Sequence, residues 1–221
     1  MFNYTARQIF VPHPFGTGAG ILSFLLSLDS STAALNFKAT STEEKLAQWN
    51  KHLTAINANI DRTHDNNNAH LYDFINVGSA TYIDNIETAD HCLTYVHKGH
   101  FYEFENYQKN FQNSIFNKAK GELVSIGIYL TSECVERLCD IRPHLSNQIN
   151  YYQRWVYSNQ VKLMKDWFNV DTLHHFTFSD MLDEHLFVDH MLYCKDILQL
   201  DIDINTVRSV INEWYSTVLK I

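Results

Sequence analysis

The segment ELVSIGIYL, residues 122–130, constrains the fold of this chain most strongly. It is nearly all apolar and contains the β-branched and aromatic residues that are typical of strands. A strand that is apolar on both sides must be covered on both faces, which is usual for strands in parallel sheets packed between helices. The segment therefore predicts a buried central strand in an α/β fold.

Other strand and helix patterns alternate along the chain. Short apolar segments predict three further strands, at 7–12, 92–97 and 174–178. Apolar residues at helical spacing, or uninterrupted apolar runs, predict helices at about 21–28, 42–62, 133–141, 146–168, 184–199 and 205–219. This alternation predicts a three-layer α/β sandwich with a mainly parallel central sheet. With 221 residues and 45% hydrophobic content, residues 1–221 are expected to form a single domain.

Two helix starts are marked by hydroxyl residues. Ser41 and Glu44 have the spacing of a capping box, in which each side chain accepts a hydrogen bond from the other residue's backbone N–H. Ser132 precedes the helix pattern of 133–141 and is expected to cap it.

Charge and composition exclude several classes of protein. The formal net charge of −8 and the lack of a Lys/Arg cluster argue against nucleic-acid binding. The four cysteines are scattered without a C-x-x-C pair, which favours reduced core residues of an intracellular protein. Neither a secretory signal nor an apolar run of about 20 residues is present, so a cytoplasmic protein without a membrane segment is expected.

The segment HPFGTGAG, residues 13–20, holds three of the chain's seven glycines. A strand that enters a glycine loop and leaves as a helix directs backbone N–H groups and the positive helix end toward one point, which suits an anion. The alternative is a tight turn whose glycines allow close packing. The loop alone does not separate these two interpretations, and it lacks the Lys-Ser or Lys-Thr pair of a Walker A motif.

Four segments together resemble the P-loop sulfotransferase family, especially its divergent, phage-type members. They are the strand, loop and helix IFVPHPFGTGAGILSFLLSL, the His-bearing strand end LTYVHKGHF, the buried strand and helix LVSIGIYLTSECVERL, and the acidic turn and helix SDMLDEHLFVDHMLYCKDILQLDID. Their order and spacing cover most of the chain. The resemblance implies a P-loop nucleotide-binding type of α/β fold.

The same resemblance implies a donor, a reaction and a set of site residues. The donor is 3′-phosphoadenosine 5′-phosphosulfate, and the sulfuryl group passes to a hydroxyl or amine of an unidentified small-molecule or protein acceptor. A histidine beside the donor can remove the acceptor's proton near neutral pH, which favours His100, with His97 as the alternative. The residues expected to bind the donor are His13, Pro14, Phe15, Gly16, Thr17, Gly18, Ala19, Gly20, Thr131 and Ser132.

This chain departs from the family where the family carries charged anchors. The loop Lys or Arg is replaced by Phe15, and the family's Arg and Ser positions for the 3′-phosphate hold Leu130 or Thr131 and Leu138 or Cys139. Charge-assisted contacts to phosphate are about twice as strong as neutral ones. The second hypothesis is therefore a non-catalytic viral structural or interaction protein on the same scaffold, acting through a protein partner in the host cytoplasm or the virion.

Two acidic and histidine-rich segments suggest metal sites only weakly. His185 and Asp189 have a spacing of four with His190 adjacent, but no further ligands with zinc-site spacing follow. The segment 201–205 imitates the start of a calcium loop, although Thr206 stands where that loop needs glycine. We expect no metal site, and we expect the second segment to cap the last helix.

Overall fold

A five-stranded sheet forms the centre of the described structure. The computed structural model describes residues 7–13, 17–29, 32–34, 41–58, 91–97, 123–141, 143, 146 and 171–219. Numbered in chain order, the strands are β1 (Arg7–His13), β2 (Thr32–Ala34), β3 (His91–His97), β4 (Leu123–Tyr129) and β5 (Asp171–Thr177). Their order across the sheet is β2-β3-β1-β4-β5.

Every neighbouring pair of these strands is parallel. β1 lies between β3 and β4, with Ile9 opposite Leu93 on one side and Val124 on the other. The prediction that the strands at 7–12, 92–97 and 122–130 share one parallel sheet is confirmed. The strand predicted at 174–178 is confirmed as β5, which begins three residues earlier, at Asp171.

Five helices accompany the sheet in the described part of the chain. They are α1 (Ala19–Leu26), α2 (Thr42–Ala58), α3 (Ser132–Ile141), α4 (Glu184–Leu198) and α5 (Ile204–Trp214). A 3₁₀ turn, Asp180–Leu182, precedes α4, and a π-helical turn, Tyr215–Leu219, continues α5. The described chain is thus a mixed α/β structure with a parallel sheet. The helix predicted at 146–168 lies almost wholly outside the described residues.

The core forms where the apolar faces of these elements meet. β4 is buried as its composition predicts, with Ile126 and Ile128 fully inaccessible. Side chains from β1, α1, α3, α4 and α5 join it in one apolar cluster. The helices therefore pack their apolar sides against a shared core. This packing holds the strands and their ends in place.

The helix caps show how local sequence defines the ends of the elements. Ser41 Oγ accepts from the Glu44 backbone N–H at 3.2 Å, and Glu44 Oε2 accepts from the Ser41 N–H at 3.4 Å. This confirms the predicted capping box of α2. At α3 the prediction is wrong by one residue, because Thr131, not Ser132, accepts the capping hydrogen bond, from the Cys134 N–H at 3.2 Å.

Candidate functional site

The carboxyl ends of the parallel strands place several predicted site residues along one edge of the sheet. β1 ends at His13 and β3 at His97, and these two histidines are register partners. β4 ends at Tyr129, two residues before Thr131. Two of the histidines named from sequence therefore come together in the fold, although 84 positions separate them. His100 lies outside the described residues.

The strand order places a topological switch point at this edge, between β1 and β4. The strand that follows β1 in the chain, β2, lies beyond β3 on one side of it, whereas β5 follows β4 on the opposite side. Connections that diverge from two adjacent parallel strands leave an opening beyond their carboxyl ends, and ligands of open α/β sheets bind there. The glycine loop follows β1 and the start of α3 follows β4, so both border this opening.

The described part of the glycine loop turns sharply into α1. Gly18 has φ +87° and precedes the first residue of the helix, and no side chain caps the helix there. The first turn of α1 contains no acidic residue. Its backbone N–H groups and the positive end of the helix dipole therefore lie at the carboxyl edge of β1. Pro14, Phe15 and Gly16 lie outside the described residues.

Close packing also favours a small residue at position 18. A Cβ built there would lie 3.1 Å from Trp214 Cζ2 and 3.2 Å from Met181 Cε. The preceding Thr17 is completely buried. The anion interpretation and the packing interpretation of the loop are thus compatible, because Gly18 serves the sharp turn and the contact with α5, whereas Ala19 and Gly20 begin the helix.

The start of α3 is already hydrogen-bonded internally. The Thr131 hydroxyl donates to Cys134 Sγ at 3.0 Å and accepts from the Cys134 backbone N–H. Thr131 therefore caps α3, and the donor contact expected of it from sequence stays a prediction. Ser132 is exposed in the first turn, next to the exposed carboxylate of Glu133. Of the two residues, Ser132 is the one whose side chain faces solvent.

The sequence predicts reduced core cysteines, and the structure adds the contacts of one of them, Cys134, at this helix start. Cys134 is 1% exposed, and its Sγ lies 3.1 Å from Ser179 Oγ, at the turn after β5. Burial raises the pKa of the Cys134 thiol, but the hydrogen bonds from Ser179 and Thr131 outweigh burial and leave the pKa lowered. The contact joins the turn after β5 to the start of α3. In the sequence, a cysteine three positions after Thr131 does not indicate which distant residue the thiol contacts.

Both segments considered as metal sites from sequence lie in the described part of the chain. In the described part of the chain, no group of three His, Cys, Asp or Glu residues is arranged to hold a metal ion. His185 and Asp189 are exposed on α4, whereas His190 contacts His174. Asp203 caps α5 by accepting from the Thr206 N–H at 2.8 Å, which confirms the capping role predicted for the 201–205 segment.

Comparison with known proteins gives no relative: no family model, no curated protein and no solved structure matches this chain. Among the helices of the described residues, none combines the length and the apolar character needed to cross a bilayer.

Proposed function

We propose that this chain is a divergent, three-layer sulfotransferase-like domain of the P-loop type. It binds the phosphosulfate end of 3′-phosphoadenosine 5′-phosphosulfate in the crevice between β1 and β4 and transfers the sulfuryl group to a hydroxyl or amine acceptor. One observation carries the proposal: the glycine turn into α1 and the start of α3 follow adjacent parallel strands whose connections diverge.

The chemistry of the crevice favours a site built from neutral groups. Residues 13–20 and 129–134 contain no Lys or Arg. The amides at the start of α1 and the Ser132 hydroxyl are the described groups available to an anion, and His13 and His97 are neighbouring strand-end positions in the sheet register. A histidine at the strand end removes the proton of the acceptor as it attacks sulfur, while the 5′-phosphate leaves. His97 joins His100 as a candidate base because its strand end lies beside His13.

A ligand-binding measurement tests the proposal directly. Thermal unfolding is followed with 3′-phosphoadenosine 5′-phosphate, and adenosine serves as the control that lacks both phosphates. A ligand at 100 times its Kd stabilises the folded state by about 2.7 kcal/mol, so the melting temperature should rise with the bisphosphate alone. Ser132→Ala should reduce this rise, whereas Ser209→Ala, an exposed serine on α5, should leave it unchanged.

Measurement of turnover distinguishes residues that act in catalysis from residues that bind the donor. If transfer occurs, His100→Ala or His97→Ala should lower kcat by about 10² to 10⁴ and leave donor affinity nearly unchanged, because a general base acts in the transition state. Whichever histidine is the base should show the loss, and the other should not.

The packing of Gly18 favours a second candidate function. The φ of +87° and the close approach of Trp214 and Met181 give this glycine a structural role, whether or not a ligand binds. The second candidate is a non-catalytic viral structural or interaction protein that retains the loop for packing. Absence of any stabilisation by the bisphosphate, in a folded protein, would favour this candidate over the enzyme.

A further inference from the structure

Two histidine rings meet between β5, the last strand of the described sheet, and helix α4. His174 Nε2 lies 2.6 Å from His190 Nδ1, and the ring centroids are 4.8 Å apart. Both residues are only partly exposed. At this distance one nitrogen must carry a proton and the other must offer a lone pair, because two N–H groups cannot face each other.

An aspartate holds the other side of the pair. Asp180 Oδ2 lies 3.6 Å from His190 Nε2 and accepts from the Thr177 backbone N–H at 2.8 Å. The carboxylate favours a proton on His190 Nε2, which leaves Nδ1 to accept from His174 Nε2–H. The other titratable groups facing His174 are His175 on β5 and Tyr193 on α4, whose ring centroid is 4.6 Å away.

The pair accommodates one added proton but not two. A single imidazolium on His190 lies beside Asp180 and donates from Nδ1 to a neutral His174, which makes the N–H···N bond charge-assisted. A second proton places two cations with opposed N–H groups at the same contact. We propose that His174, His190 and Asp180 form an acid-sensitive clasp that holds α4 against β5 and opens when both imidazoles are protonated.

The direction of the pH effect follows from His174. Burial, then the charges of His190 and His175, lower the pKa of His174 to about 4, from an ordinary value of 6.5. Between these two values the unfolded chain binds a proton that the closed clasp excludes. The clasp therefore contributes its full stability above about pH 6.5, loses it as the pH falls toward 4, and opens at the acidic end of that range.

Opening of the clasp affects the start of α3, at the candidate site, through the turn after β5. Asp180 and Ser179 are adjacent in that turn, and Ser179 contacts Cys134 at the start of α3. The inference does not depend on the proposed sulfuryl transfer, because it rests on the contact between β5 and α4 alone.

Histidine nitrogen NMR across a pH titration of the wild-type protein tests the clasp. We expect His174 to remain neutral down to about pH 4. A His174 pKa near 6.5 would overturn the proposal. This measurement needs no variant, so it holds even if substitutions at the pair prevent folding.

Amide hydrogen exchange identifies the segment that loses protection when the clasp opens. After correction for intrinsic exchange, amides at 184–193 should lose protection about tenfold between pH 7 and pH 4, more than amides of α5. His190→Gln, which keeps a hydrogen-bonding side chain without a second cation, should reduce this loss. His185→Gln, an exposed histidine on the same helix, should not. Equal loss along α4 and α5, or the same loss in both variants, would show that no local clasp exists.

Discussion

At the scale of single residues, Gly18 meets two demands, an unusual backbone conformation and close packing. Its φ of +87° lies in the region that residues with a Cβ rarely adopt, and a Cβ there would lie only 3.1 Å from Trp214 and 3.2 Å from Met181. The three closely spaced glycines of the sequence indicate an unusual backbone conformation in this loop. The neighbours that fill the space belong to distant segments, and the local sequence could not identify them.

Gly18→Ala should lower the free energy of unfolding by about 1–3 kcal/mol, since a left-handed backbone costs an alanine about 1–2 kcal/mol before any contact is disturbed. Urea unfolding followed by tryptophan fluorescence measures the change. Gly20→Ala is the matched control because Gly20 lies inside α1 without a positive φ, where alanine is the better helix former. Equal effects of the two substitutions would show that neither the backbone nor the packing at Gly18 is special.

At the scale of secondary-structure elements, the start of α3 depends on a cap just outside the helix. Thr131→Val removes the oxygen that accepts from the Cys134 N–H while keeping the side-chain volume. We expect a loss of about 1 kcal/mol, typical of a removed N-cap, in urea unfolding. Ser132→Ala should change stability by less than half as much because Ser132 is exposed and does not cap. A larger loss of stability for Ser132→Ala would show that Ser132, the residue predicted from sequence, caps α3.

The elements also show which parts of the fold the sequence predicts and why the rest escapes it. The capping box at Ser41 and the buried strand β4 are predictable because periodicity, composition and turn chemistry act within a few residues. Strand order and the pairing of His13 with His97 depend on contacts between segments far apart in the chain. The same holds for the contacts of His174 with His190 and of Cys134 with Ser179. Each partner alone is an ordinary residue, so no local pattern marks it.

At the scale of the whole molecule, a buried ionic group joins three distant segments. Lys45 of α2 is 1% exposed, and its Nζ donates to the backbone oxygens of Ser27 and Asp29 at the end of α1. The Asp29 carboxylate accepts from the Asp201 N–H at 2.9 Å, in the turn before α5. Burial lowers the pKa of Lys45, and the charge of Asp29 acts in the opposite direction. The buried ammonium therefore relies on the Asp29 charge to offset part of the cost of its burial.

A double-mutant cycle on Asp29 and Lys45 tests this reliance. Lys45→Met leaves the carbonyls at the end of α1 without their donor, and Asp29→Ala leaves the buried ammonium without its counter-charge, so each should cost about 1–3 kcal/mol in urea unfolding. The double variant should lose less than the sum of the two single losses, by about 0.5–3 kcal/mol, because the second substitution removes a group that the first has already left uncompensated. Lys51→Met, an exposed lysine on the same helix, should add to Asp29→Ala within about 0.5 kcal/mol. Additivity in both cycles would mean that Lys45 acts only through the helix carbonyls, and that Asp29 and Lys45 stabilise their segments independently.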